Sequence, residues 1–351
     1  MQKEAIELAI VKLLSGRSYD HVTAKAHALF IGWVEAFAPV LETHEVLAVE
    51  SEFSFPLLNP DTEAPSRTFA EGGKMDGLLA HKRSGARLIL EHKTTSSGIE
   101  PESDYWLRLA MDTQVSKYIL AAARLGDGTR SALYDVVRKP AQRPLAIALT
   151  DEGGAKIVLD QNGQRVRTKD GKKWRETGDT ASGYVLQSRE ETPEEYHTRI
   201  LAELESDAGK YFAQREIPRL DSDLLEYMQD SWAASQQILY FRRAKLWPRN
   251  PAACTEFGGC EFFSLCAGRA SVDGITYRRK EHAHAELGIQ THDGLELLTN
   301  SRLRALHKCP RYHFLRYEEP TEPVAPDDEA LRLGSAFHLA VETYLKTFIK
   351  N

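Results

Sequence analysis

The chain has 351 residues, 42% of them hydrophobic and 27% charged, with a formal net charge of -6 at pH 7. That length can bury a core for one large domain or two smaller ones, and the balance is that of an ordinary globular protein, not a fibrous or low-complexity one. The acidic balance excludes a generally basic nucleic-acid binder, while leaving room for a local Lys and Arg cluster that meets phosphates.

The first stretch, Met1 to Leu14, carries Lys3, Glu4, Glu7 and Lys12, so it does not read as a secretory leader. No apolar run reaches membrane-spanning length, and a cytoplasmic protein is the expectation. Helical spacing of Ile6, Ala9 and Leu13, then of Ala26, Leu29, Phe30, Trp33 and Phe37, predicts two helices over residues 1–43. They break at Ser15-Gly16-Arg17-Ser18. Residues 44–57 alternate in part and predict a strand ending at Pro56, and residues 58–67, with two prolines and an asparagine, predict a loop.

Two apolar runs joined by Arg83-Ser84-Gly85 then predict a β-hairpin. Its first arm holds Gly73-Lys74-Met75-Asp76-Gly77, and its second runs Leu88-Ile89-Leu90-Glu91-His92-Lys93-Thr94-Thr95. Glu91 and Lys93 are two apart on a strand and share a face, and the hairpin brings Asp76 beside them at one end of the sheet. Paired acids hold a hard divalent cation through oxygen. A neighbouring lysine can position a water or steady charge on a phosphate, so the pattern suits metal-assisted phosphodiester hydrolysis. After a polar turn at Gly98–Asp104, a helix is predicted from about Tyr105 to Leu125. Gln114 and Tyr118, four apart, share one of its faces. Ser131–Lys139 predicts a strand closing at Arg138-Lys139-Pro140.

Residues 150–186 contain Asn162-Gly163, a strong hairpin signal, followed by Arg165, Arg167, Lys169, Lys172, Lys173 and Arg175 around Trp174. The reading is an inserted hairpin, either lying along DNA with Trp174 free to stack or simply a solvated charged arm. Thr192-Pro193-Glu194-Glu195 opens a predicted helix within 191–213 with an N-cap threonine, proline at the first position and glutamate at the third. A further helix is predicted from Asp221 to Leu246. Cys254, Cys260 and Cys266 follow with five residues between neighbours, and the fourth and last cysteine is Cys309. Four cysteines in a cytosolic chain point to metal or catalysis before disulfides. Four thiolates suit a [4Fe–4S] cluster or tetrahedral Zn2+, although the spacing is not the Cys-x-x-Cys of common zinc sites.

Taken together, Gly73-Lys74-Met75-Asp76, Glu91-His92-Lys93 and Gln114-Val115-Ser116-Lys117-Tyr118 resemble the motif series of the PD-(D/E)XK nuclease superfamily. The resemblance is closest to its RecB-type exonuclease branch, phage-encoded members above all. It implies a restriction-endonuclease-like α/β fold: a mixed central sheet holding 46–57, 68–80, 87–95 and 131–139, flanked by helices, with a cysteine-bound helical subdomain. It also implies a metal-dependent DNA exonuclease acting on DNA ends, with a helicase or recombinase as a conceivable partner and no membrane. Catalytic roles fall on Asp76, Glu91, Lys93, Gln114 and Tyr118. Mg2+ or Mn2+ would be held by Asp76, Glu91, His338 and the backbone carbonyl of His92. Cys254, Cys260, Cys266 and Cys309 would hold the [4Fe–4S] cluster, with zinc as the alternative. Two other readings stay open, a catalytically inactive DNA-end-binding module of the same fold and a zinc-stabilised structural protein.

The order of motifs departs from the family. The run from Leu298 through Cys309-Pro310-Arg311-Tyr312, and Leu333-Gly334-Ser335-Ala336-Phe337-His338 on a predicted helix Leu331–Lys350, resemble the family's N-terminal part but stand at the far end. A circular permutation accounts for this. Residues 1–287 are then the nuclease core, with the hairpin insertion 150–186 and the cysteine segment 251–270, and residues 298–351 complete the same domain.

Overall fold

The computed structural model describes residues 2–124, 128–256, 259–324 and 329–349. Helices α1 (Gln2–Leu14) and α2 (His21–Thr43) fall on either side of the predicted break, and the Asp20 carboxylate caps α2 by accepting the Thr23 amide at 2.9 Å. Strands β1 (His44–Leu58), β2 (Pro65–His81) and β3 (Arg87–Thr95) follow. The single helix predicted from Tyr105 is two, α3 (Asp104–Ala110) and α4 (Thr113–Arg124). Asp112 causes the break: its carboxylate accepts the Gln114 amide at 3.0 Å and starts a new helix there. The predicted end at Leu125 lies outside the described residues, as does Lys350 at the end of the tail helix, which is described over Glu329–Lys346. Strand β4 (Ser131–Arg138) comes next. The capping box at Thr192 forms, opening a helix over Pro193–Ser206.

Among the described residues seven strands form a mixed central sheet flanked by helices, so the protein is α/β. Three of the seven were not predicted: Phe212–Pro218, Thr291–His292 and Leu295–Leu298. β3 runs parallel to β4, and β4 pairs antiparallel with Phe212–Pro218. β2 is the long central element. One edge of it pairs with β1 over most of its length. The other edge is shared: β3 pairs antiparallel with Gly77–Ala80, and Leu295–Leu298 pairs parallel with Phe69–Glu71. Between these two partners, residues 72–76 have no strand opposite them on that edge among the described residues. The sheet is notched there, and Asp76 stands on the lip.

The notch needs small residues. A Cβ on Gly73 would fall 2.9 Å from the Phe53 ring, so glycine lets Phe53 and Tyr118 close over β2. One sheet face is covered by α1, α2 and the tail helix, with Phe30, Trp33, Phe37, Phe337 and Tyr344 fully buried among them. The other face packs on α3 and α4. α2 is long and apolar enough to cross a membrane, but its apolar residues are the centre of this core, and burial against the sheet accounts for them.

Residues 150–186 are not one hairpin. Short nested ladders pair Ala146–Ala148 with Ser188–Glu190 and Val158–Leu159 with Val185–Leu186. The Asn162-Gly163 turn does form, with Gly163 at φ 76°. The expectation that Trp174 is free to stack on bases is corrected: Arg165 and Arg167 lie over its ring at 4.3 and 4.2 Å. The cysteine segment is mostly loop, with a 3-10 turn Pro251–Cys254 and one helical turn Phe263–Cys266, and Phe257 and Gly258 lie outside the described residues.

Candidate active site

Alternation along β3 divides the site between two faces. Ile89, Glu91 and Lys93 face α4, while Leu88, Leu90 and His92 face α2. β3 leaves β2 after Leu90, and the Asp76 carboxylate bridges the parting strands by accepting the His92 amide at 2.8 Å. Asp76, Glu91 and Lys93 thus meet at the notch.

Lys93 Nζ lies 2.6 Å from Glu91 Oε1 and 3.7 Å from Asp112 Oδ2, and donates to Gln114 Oε1 at 2.9 Å. Gln114 Nε2 in turn donates to the Tyr118 hydroxyl at 2.6 Å, so Gln114 and Tyr118 hold the lysine in place through one relay. Glu91 is 1% exposed, and its Oε2 is buried without a hydrogen-bond partner. Burial, and then the charge of Asp76, push the Glu91 carboxyl up to about 8 against the pull of Lys93. Burial alone would lower the Lys93 amine, but Glu91 and Asp112 outweigh it and hold the ammonium above its ordinary value. The two partners pull in opposite senses. The ammonium is the firmer assignment, because three acceptors surround it, and Glu91 is the group left under-compensated.

On the opposite face, His92 Nδ1 lies 2.7 Å from Asp135 Oδ2. Asp135 is fully buried and also accepts from Trp33 Nε1 at 2.6 Å and Gln214 Nε2 at 2.7 Å. The His338 ring, carried by the tail helix, stands 6.3 Å from the His92 ring at nearly a right angle. Burial, and then His92, lower the His338 imidazole. Among the described residues, no three His, Cys, Asp or Glu side chains stand ready-formed around a cation. His338 is therefore brought beside His92 and within the electrostatic reach of Asp76, without joining the carboxylates in a finished ligand shell.

Cys254, Cys260, Cys266 and Cys309 are free and line one largely apolar cavity of about 210 Å³. The Asn250 amide donates to Cys309 Sγ at 3.3 Å, and burial pushes the Cys260 thiol up. The distant Cys309 and the trio are thus brought to one cavity, although among the described residues they do not form a cluster already spaced for metal.

Residues 273–350 match the PD-(D/E)XK nuclease superfamily. The superfamily is typically made of metal-dependent phosphodiesterases acting on nucleic acid. No curated protein matches the chain. The PD-(D/E)XK segment contains Leu295–Leu298, Cys309 and His338, and does not contain Asp76, Glu91 or Lys93. Strand pairing joins the two parts: the segment's own strand lies on β2 at Phe69–Glu71, beside the notch that holds Asp76.

Three residues of this region were not singled out from sequence. Asp112 next to Gln114 carried no signal beyond ordinary polarity. Asp135 is the one charge inside Ala132–Val137, an apolar run, and that is a readable sign of a buried partner. Lys117 sits inside the Gln114-to-Tyr118 motif, fully buried, 2.8 Å from Glu71 Oε2.

Proposed function

We propose that the protein is a metal-dependent DNA exonuclease of the RecB type, acting at the notch of the central sheet. The observation that carries this reading is the buried, under-compensated Glu91 carboxylate beside Asp76 and Lys93, on the strand edge that the PD-(D/E)XK segment borders. A second carboxylate nearby and an orphaned oxygen are what a divalent cation relieves, so the donor set fits Mg2+ or Mn2+. Asp76, Glu91, His338 and the His92 carbonyl would hold it. When bound, such an ion polarises the phosphoryl oxygen and lowers the pKa of a bound water.

The chain's own groups supply the rest. The His92 amide fixes Asp76, and Asp135 fixes the ring of His92. Lys93, steered by Gln114 and Tyr118, presents an ammonium to charge developing on the phosphate, or to the attacking water. Residues 298–351 complete the same domain in this reading, in permuted order. Gln2 Nε2 lies 3.5 Å from the Tyr344 hydroxyl, which is the closeness of α1 and the tail helix that such an order requires. The four thiols around one cavity suit a [4Fe–4S] cluster, with zinc as the alternative. Iron and zinc analysis of anaerobically purified protein, with its visible absorption, separates the two.

End-labelled linear DNA and covalently closed circles, each titrated with Mg2+ and Mn2+, test the proposal. Metal-dependent degradation of the linear form alone is expected. Cutting of circles would replace exonuclease with endonuclease, and no metal-dependent product would remove the hydrolase. The ion pair between Lys93 and Glu91 favours one second reading, a DNA-end-binding module without catalysis. DNA binding without cleavage in the same titration is its signature.

The metal should also show in stability. Glu91 has its pKa raised from 4.5 to about 8 in the folded protein, so the native state holds a proton that the unfolded chain releases. Its contribution is full below 4.5 and is lost as the pH rises toward about 8. Thermal melts in chelator should therefore fall across that window. Mg2+ at a hundredfold excess over its Kd should add about 2.7 kcal/mol and flatten the fall. A flat profile in chelator would contradict the strain assigned to Glu91.

A further inference from the structure

Two cavities flank the helix Asn300–Lys308. The first, of about 310 Å³, has Asp76, Gln114 and Tyr118 on one wall and Asn300, Ser301 and Arg304 on the other. The second, of about 440 Å³, shares Ser301 and Arg304 and continues to Lys308 and Tyr312. Tyr312 also lines the cysteine cavity. Shared lining residues place the three in sequence from Asp76 to the thiols.

The floor along these cavities follows from helical spacing. Ser301, Arg304 and Lys308 fall at i, i+3 and i+7, on the face opposite the buried Arg302, Leu303 and Leu306. Arg304 is exposed and has no ion-pair partner among the described residues. Lys308 lies 5.2 Å over the Tyr312 ring and likewise has no carboxylate partner among them. By contrast, Arg316 on the same path is neutralised by Glu261 at 2.8 Å. The acids on the walls besides Asp76 are Glu286 and Glu256. Two uncompensated cations in line, leading away from the proposed hydrolytic centre in an acidic protein, suit a polyanion. Cavities of this scale enclose small-ligand-sized groups, one nucleotide after another and not a paired duplex.

We propose that this groove seats a single nucleic-acid strand between Asp76 and the cysteine cavity, with its phosphates on Arg304 and Lys308. The proposal rests on the nuclease reading of the Asp76 notch and adds the strand's route. It predicts how binding depends on salt. Each phosphate contact on a single strand contributes about 0.7 to the slope of log K against log salt. Binding of a short fluorescent single strand is measured in chelator, between about 50 and 200 mM salt, for the wild type and Arg304→Ala/Lys308→Ala. The double variant should bind more weakly, with a slope reduced by about 1.4, and Arg304→Lys/Lys308→Arg should recover it. Arg304 is exposed and Lys308 half-buried, and a thermal melt checks that the fold is kept. An unchanged slope overturns the groove, as does an equal loss for duplex DNA. Cleavage assayed separately with Mg2+ keeps the two ideas apart. Active protein with an unchanged slope removes the groove alone, and inactive protein with a reduced slope removes the nuclease alone.

Discussion

Lys93→Ala should abolish metal-dependent cleavage, with kcat falling at least 10²- to 10³-fold by analogy with loss of one preorganised donor at a developing charge. The protein should still fold. Lys93 sits at the open end of β3 with its side chain 22% exposed, and Glu91, already pushed toward its neutral form, can keep its proton when the ammonium goes. Metal binding should survive as well, because the carboxylates remain and lose a competitor for Glu91 Oε1. Three measurements check this: single-turnover cleavage, a thermal melt and a Mg2+ titration by calorimetry. Full cleavage by the variant would take the lysine out of the mechanism. A variant that melts far below the wild type would show instead that the ion pair is structural.

The largest stability effect belongs to Lys117→Met. Lys117 and Glu71 are both buried and 2.8 Å apart, and Lys117 Nζ also donates to the Leu298 carbonyl at 2.5 Å. Glu71 accepts in addition from the hydroxyls of Tyr227, at 2.9 Å, and Ser231. This one cluster ties β2 and α4 to the helix Asp221–Ala244 and to the strand Leu295–Leu298. Burial lowers the Lys117 amine more than Glu71 restores it, so the pair is costly to form and costlier to break. Removing the cation alone leaves an uncompensated buried carboxylate, and a loss of about 3–5 kcal/mol in denaturant titration is expected. Lys117→Met/Glu71→Gln should recover much of it, because no charge is then stranded. A single variant within about 1 kcal/mol of the wild type would mean that the two hydroxyls suffice for Glu71.

These two lysines show where local reading ends. Lys93 was legible because a period of two on a strand sets its face, and Glu91 beside it declares the chemistry. Lys117 lies in the same motif series as Gln114 and Tyr118, yet its own partners are Glu71 and the Leu298 carbonyl, and Glu71 is held in turn by Tyr227 and Ser231, positions that no spacing connects. The split of the predicted helix at Asp112 was missed for a related reason, since an aspartate inside a helical pattern is neutral until its carboxylate is seen to cap the next turn. The three strands overlooked were short or polar: Leu295–Leu298 and Phe212–Pro218 find their partners far along the chain, and the two residues Thr291–His292 pair only with the neighbouring Leu295–Leu298.

What the sequence determined by itself is therefore local in origin. The hairpin of β2 and β3, the paired faces of β3, the break between α1 and α2 and the capping box at Thr192 all follow from periods of 2 and 3.6 and from turn and cap chemistry, while the mixed α/β sheet was implied by the motif resemblance. Only the tertiary structure decided that, among the described residues, one edge of β2 is left without a partner over 72–76, because β3 and a strand more than two hundred residues later stop short of each other there. Only it gathered four cysteines around one cavity and laid the tail helix beside α1. Backbone pairing at such separations is set by global packing, whose register leaves no periodic mark on either partner.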